Sequence, residues 1–86
     1  MFPFKETIHN THSIREFSSN TNEMDLIWHM DVEDRTIEPI GETHWLFQFD
    51  NQLPISIDSP IFIPKQTIHR VIKGPGSLTI KLTKHE

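Results

Sequence analysis

The plainest hydrophobic rhythm lies near the end of the chain, where Leu78, Ile80 and Leu82 alternate with Thr79 and Lys81. A period of two sends successive side chains to opposite faces of a β-strand. Residues 44–49 repeat it with aromatics: Trp45, Phe47 and Phe49 form one face, and His44, Leu46 and Gln48 the other. In residues 23–31, Met24, Leu26, Trp28 and Met30 take the even, apolar positions, while Ile27, His29 and Asp31 share the odd face. Shorter strands are expected over 12–17, 35–40, 53–58, 61–63 and 67–73. Pro39 inside the second of these predicts an edge position or a bulge.

Turn formers punctuate these runs: the polar stretch 18–22, Gly41-Glu42, Asp50-Asn51, Ser59-Pro60, Pro64-Lys65 and Gly74-Pro75-Gly76. No window carries the spacing of a helix. Short strands with a turn signal every 8–12 residues or so predict an all-β sandwich or barrel. With 86 residues, the chain is expected to form one domain, its core over about 12–83 and residues 1–11 an N-terminal arm in which Phe2 and Phe4 can pack as a terminal strand or onto a partner chain.

Composition narrows the function classes. A formal net charge of −4 argues against a nucleic-acid partner, which needs clustered Lys and Arg. With no cysteine there is no disulfide framework, thiolate metal site or thiol nucleophile. No apolar run approaches the roughly 18 residues of a membrane span, and the first residues lack the pattern of a secretory signal, so a cytoplasmic protein is expected. A domain this small buries only roughly 60–65% of its unfolded surface. Dimerisation or a bound metal would supply further stability, and Trp28, Trp45 and Phe49 are candidates for sealing a homodimer.

Two histidines carry the candidate chemistry. His29-Met30-Asp31 on a strand projects an imidazole and a carboxylate to one side, and His69, in a β-branched run after the Pro64 turn, can join them from a second strand. Two imidazoles and one carboxylate leave open positions on a divalent ion such as Fe, Mn, Ni or Zn. Asp34 is a further candidate metal ligand. Gln48, Arg35 and Arg70 are candidate contacts for a small-molecule ligand, the two arginines through an anionic group. Glu33 and His44 complete the residues that could converge.

The arrangement of these residues resembles the two motifs of the cupin superfamily over residues 24–82. In the first, His29-Met30-Asp31 stands at His-X-His, Asp34 at the Glu that follows (after two residues rather than three), and Gly41 at the closing Gly. In the second, Asp58 stands at the first Gly, Pro64 at the Pro, Gln66 at the second Gly, His69 at the His and Lys73 at the Asn; only Pro64 and His69 keep the motif residue. The chain is also similar to short cupin-like proteins of tailed phages, through Trp28-His29, Asp34-Arg35, the segment from Gln48 to Pro54, and His69-Arg70. The resemblance implies a small double-stranded β-helix, or jelly-roll barrel, and a metal centre on His29, Asp31 or Asp34, and His69. It names no reaction, since many cupins have lost the metal. The competing expectation is therefore a non-catalytic ligand-binding or assembly module on the same fold.

Overall fold

The computed structural model describes residues 3–85. In chain order the strands are β1 (Lys5–Ile8), β2 (Ser13–Phe17), β3 (Asp34–Pro39), β4 (Leu46–Phe49), β5 (Ile55–Ser56), β6 (Ile61–Ile63), β7 (His69–Ile72) and β8 (Leu78–His85), with one turn of 3-10 helix (Glu23–Asp25) between β2 and β3. All pairings are antiparallel. They build a five-stranded sheet in the order β1-β2-β8-β3-β6 and a three-stranded sheet in the order β5-β4-β7. The all-β expectation holds. The closed barrel does not, because the described strands form two separate sheets.

The centre of the larger sheet is β8, whose alternation buries Leu78, Ile80 and Leu82. Register carries the buried face to its neighbours: Phe17 lies opposite Leu78, and Ile37 opposite Leu82. Ile61 and Ile63 extend that face through β6, leaving Phe62 outside. Across the core stand Trp45, just ahead of β4, and Phe47, both almost wholly buried, with Phe49 and Val71 packed against the cluster. The indole N–H of Trp45 donates to the Gly76 carbonyl at 3.0 Å, so its one polar atom is satisfied in the core. The chain passes so close here that a Cβ at Gly74 would overlap the backbone carbonyl of His44.

Three expectations are corrected. Residues 5–8, taken as part of an arm, pair along their whole length with β2, while Phe2 lies outside the described residues. Pro39 ends a central strand. β6 pairs only Arg35 to Ile37, so the missing N–H of Pro39 falls where the ladder to β6 has already stopped. The expected strand over 23–31 is a 3-10 turn followed by an extended segment with a single bridge, His29 to His69. Its apolar row faces out: Met24, Trp28 and Met30 are exposed, with Ile27 and Val32 beside them, and only Leu26 packs on the core.

Candidate metal centre

His69 enters the core through parity along β7. Val71 packs inward opposite Phe47, so His69, two residues earlier and opposite Phe49, takes the same face and is 4% exposed. Its ring stacks on Phe47 with centroids 5.6 Å apart. His29 is brought beside it by backbone pairing. The His29 N–H donates to the His69 carbonyl at 3.0 Å, and the His69 N–H to the His29 carbonyl at 2.9 Å. Directly opposed residues that exchange both hydrogen bonds put their side chains on one face. The two imidazoles accordingly meet edge to face, centroids 4.2 Å apart, with His29 on the exposed side.

Both rings are oriented by the same local device. His69 Nδ1 lies 2.7 Å from the Thr67 carbonyl, and His29 Nδ1 lies 3.2 Å from the Ile27 carbonyl. A carbonyl can only accept, so each Nδ1 carries a proton, and in a neutral ring Nε2 is then left with its lone pair. Burial holds the His69 pKa below its usual 6.5, against the hydrogen bond to Thr67 and the charge of Asp31, which pull the other way. His69 is thus a neutral imidazole at pH 7, with its basic nitrogen aimed into the site.

Asp31 completes the group. One ligand atom from each of His29, Asp31 and His69 lies within 4.8 Å of the others. Arg35 holds Asp31 Oδ1 at 3.2 Å and Glu33 Oε1 at 3.4 Å. The second oxygen, Oδ2, faces His69 Nε2 at 3.5 Å and accepts no hydrogen bond, although it is buried. Two ligands of one ion with bonds of about 2.1 Å sit roughly 3.0–3.5 Å apart, so this pair already has that separation. Two lone-pair atoms facing each other in a buried wall repel unless a cation lies between them.

The site opens on a cavity of about 420 Å³ between the sheets, lined mostly by apolar side chains, among them Phe4, Phe17, Leu26, Phe47 and Val71. Of the residues singled out in the sequence, His29, Asp31, His69 and Arg35 line it. Asp34 does not. Its Oδ1 accepts the Lys65 N–H at 2.8 Å and so caps the Pro64 turn. Gln48 and Arg70 also lie elsewhere. With Phe47 and Val71 facing inward, both project from the outer face of the small sheet, where the Arg70 Nε and Nη2 donate to Gln48 Oε1 at 3.0 and 2.9 Å and the guanidinium lies over Trp28. His44 is exposed and takes no part. One residue went unread: Arg15 lines the cavity, and its parity with the buried Phe17 is the signal that could have found it.

No family model and no curated protein sequence matches this chain. Among solved structures the fold is similar to that of protein NMB1881 from Neisseria meningitidis, with a TM-score of 0.63 and 14% identity, over 95% of this chain and 82% of that one. At that identity the likeness speaks for the all-β fold alone. No helix among the described residues is long and apolar enough to cross a membrane.

Proposed function

We propose that this is a small cupin-like protein that binds a divalent metal through His29 Nε2, Asp31 Oδ2 and His69 Nε2, with the remaining coordination positions open to the cavity for a small-molecule ligand. The observation that carries this reading is the buried Asp31 Oδ2, without a hydrogen bond, facing His69 Nε2 at 3.5 Å. Two imidazoles and a carboxylate suit Fe(II), Mn, Ni or Zn, and the open positions supply either a binding site or Lewis-acid chemistry. The cupin reading draws support from backbone conformation. Gly41 and Gln66, which stand at glycine positions of the two motifs, have φ of 78° and 59°, the left-handed region that glycine tolerates best. The test is elemental analysis of protein purified without a histidine tag, with melting curves before and after adding each metal. Close to one equivalent of bound metal and a higher melting temperature are expected. Less than about a tenth of an equivalent, with no rise for any of the four ions, overturns the reading.

A second reading, an assembly module built on a homodimer, is favoured by a separate observation. Of the residues expected to seal a homodimer, Trp45 is buried in the core and Phe49 packs against it, but Trp28 is exposed together with Met24, Ile27, Met30 and Val32 within one short segment. Apolar side chains clustered in this way mark contact surfaces, and a second copy of the chain is the occupant this reading requires. Sedimentation of the wild type against Trp28→Glu decides it: a dimer that the variant dissolves supports the reading, and a wild-type monomer at 100 µM or so removes it.

A further inference from the structure

Ser13, Arg15 and Phe17 share the inner face of β2, so Arg15 is a cation pointed at the core, with 17% of its side chain exposed. Its Nε donates to Glu6 Oε2 at 2.6 Å, and the guanidinium carbon lies 4.3 Å from the Phe4 ring centroid. Those contacts occupy one edge and one face. Among the described residues the terminal Nη groups donate no hydrogen bond, and Arg15 lines the same cavity as the candidate metal ligands.

Charge sets the sign of what can enter. At the cavity wall and in the ion pairs behind it, the cations Arg15, Arg35 and Lys84 stand against the acids Glu6, Asp25, Asp31 and Glu33. With neutral imidazoles the net charge is −1, and a divalent ion turns it to +1. Arg35 spends both Nη groups on carboxylates and keeps only its buried Nε without a partner, which leaves Arg15 as the cation whose paired Nη donors are open.

We propose that the metal-loaded cavity takes a small organic monoanion, an apolar carboxylate, with its carboxylate on the Arg15 Nη groups and its body against Phe4, Phe17, Leu26 and Val71. This rests on the metal reading, because without the ion the wall is net negative. A guanidinium edge matches a carboxylate with two parallel hydrogen bonds. A single anionic charge balances the loaded site, whereas a phosphate monoester brings two and needs more donors than Arg15 presents. At a water's share of about 30 Å³, the cavity holds a ligand of roughly a dozen non-hydrogen atoms.

The experiment has two stages. Zn(II) is first titrated into the protein and its stoichiometry measured; no uptake of Zn(II) overturns this proposal, and no uptake of Fe(II), Mn(II) or Ni(II) either overturns the metal reading with it. Benzoate, its neutral isostere benzamide and phenyl phosphate are then titrated into Zn-loaded protein by calorimetry. Benzoate is expected to bind at least about tenfold tighter than benzamide and tighter than phenyl phosphate, and Arg15→Gln is expected to abolish its advantage over benzamide at unchanged Zn content. Equal binding of benzoate and benzamide, stronger binding of phenyl phosphate, or unaltered benzoate binding by Arg15→Gln overturns the carboxylate proposal while leaving the metal reading standing. Where Arg15→Gln does not fold, intermolecular NMR contacts decide on the wild type. Benzoate ring protons should approach the methyl groups of Leu26 and Val71, and their absence at saturation overturns the proposal.

Discussion

Asp31→Asn separates the metal-binding role of this carboxylate from its structural one. In the variant, the amide oxygen keeps the place of Oδ1 and accepts from Arg35, now as a neutral partner. The NH2 takes the place of Oδ2 and can donate to the His69 Nε2 lone pair that Oδ2 faces at 3.5 Å. Replacing the carboxylate weakens the bond to Arg35 by about 1 kcal/mol, the difference between charged and neutral hydrogen bonds. The new bond to His69 returns about 1 kcal/mol, and a buried, hydrogen-bond-free oxygen is gone. Metal-free stability is therefore expected to change by no more than about 1 kcal/mol, or roughly 4–8 °C in melting temperature for a domain of this size. The metal-loaded proteins should differ far more. At a hundred times Kd, metal stabilises the wild type by about 2.7 kcal/mol, or roughly 11–22 °C, and the variant should gain almost nothing. The assay is thermal unfolding followed by circular dichroism, with and without Zn(II) or Mn(II). An equal metal-induced rise in both proteins refutes the assignment of Oδ2 as a ligand. A metal-free loss above about 3 kcal/mol refutes the reasoning differently, by showing that Asp31 serves mainly as the buried counter-charge of Arg35.

Further predictions concern the groups around this site. Asp34→Ala removes the cap on the Lys65 N–H and should cost about 1 kcal/mol in denaturant unfolding while leaving metal stoichiometry intact, since its carboxylate faces the turn and not the cavity. Gly74→Ala forces a Cβ into the His44 carbonyl and should lower stability by about 1–3 kcal/mol or more, read from the same unfolding curves. The hydrogen bond from Arg15 holds the Glu6 carboxyl below its usual 4.5. That contribution is present above pH 4.5 and is lost as pH falls through the folded-state value, because the unfolded chain takes up the proton first. Melting temperature measured down an acid series should decline in that window, and Glu6→Gln should flatten the decline.

The strands over 44–49 and 78–82 were readable because each rests on a local period of two. Leu78, Ile80 and Leu82, and Trp45 with Phe47, are buried where their alternation places them. The faces of residues 24–32 could not be read that way. A count of apolar side chains turns Met24, Trp28 and Met30 inward, whereas the pairing of His29 with His69 fixes the face and sends Trp28 out over Arg70. That pairing joins residues forty positions apart, and no local pattern encodes it. Gln48 and Arg70 were read as candidate ligand contacts, although the neighbours of Gln48 already pointed the other way: once Phe47 and Phe49 face the core, Gln48 cannot. Arg15 was overlooked for the converse reason. A charged residue two places from a core phenylalanine reads as solvated, and only the cavity beside it shows why it faces inward.

The spacing from Pro64 to His69 has a mechanical explanation in which the acid-rich segment 31–34 serves two purposes. The Asp31 carbonyl accepts the Gln66 N–H at 2.6 Å, and the Asp34 carboxylate accepts the Lys65 N–H at 2.8 Å. Together they hold a turn in which Gln66 adopts a φ of 59°, and three residues later the chain delivers His69 opposite His29. The residue that offers a side-chain oxygen to the metal thus also docks, through its backbone, the turn that positions the buried imidazole. An ion on His29, Asp31 and His69 would close the same junction a second time, cross-linking an exposed segment to β7 in a chain that has no cysteine to do so. Among the described residues the backbone hydrogen bonds that tie 27–32 to β7 and its turn are those of His29 and Asp31. Metal binding is therefore the contribution this junction has most room to gain from.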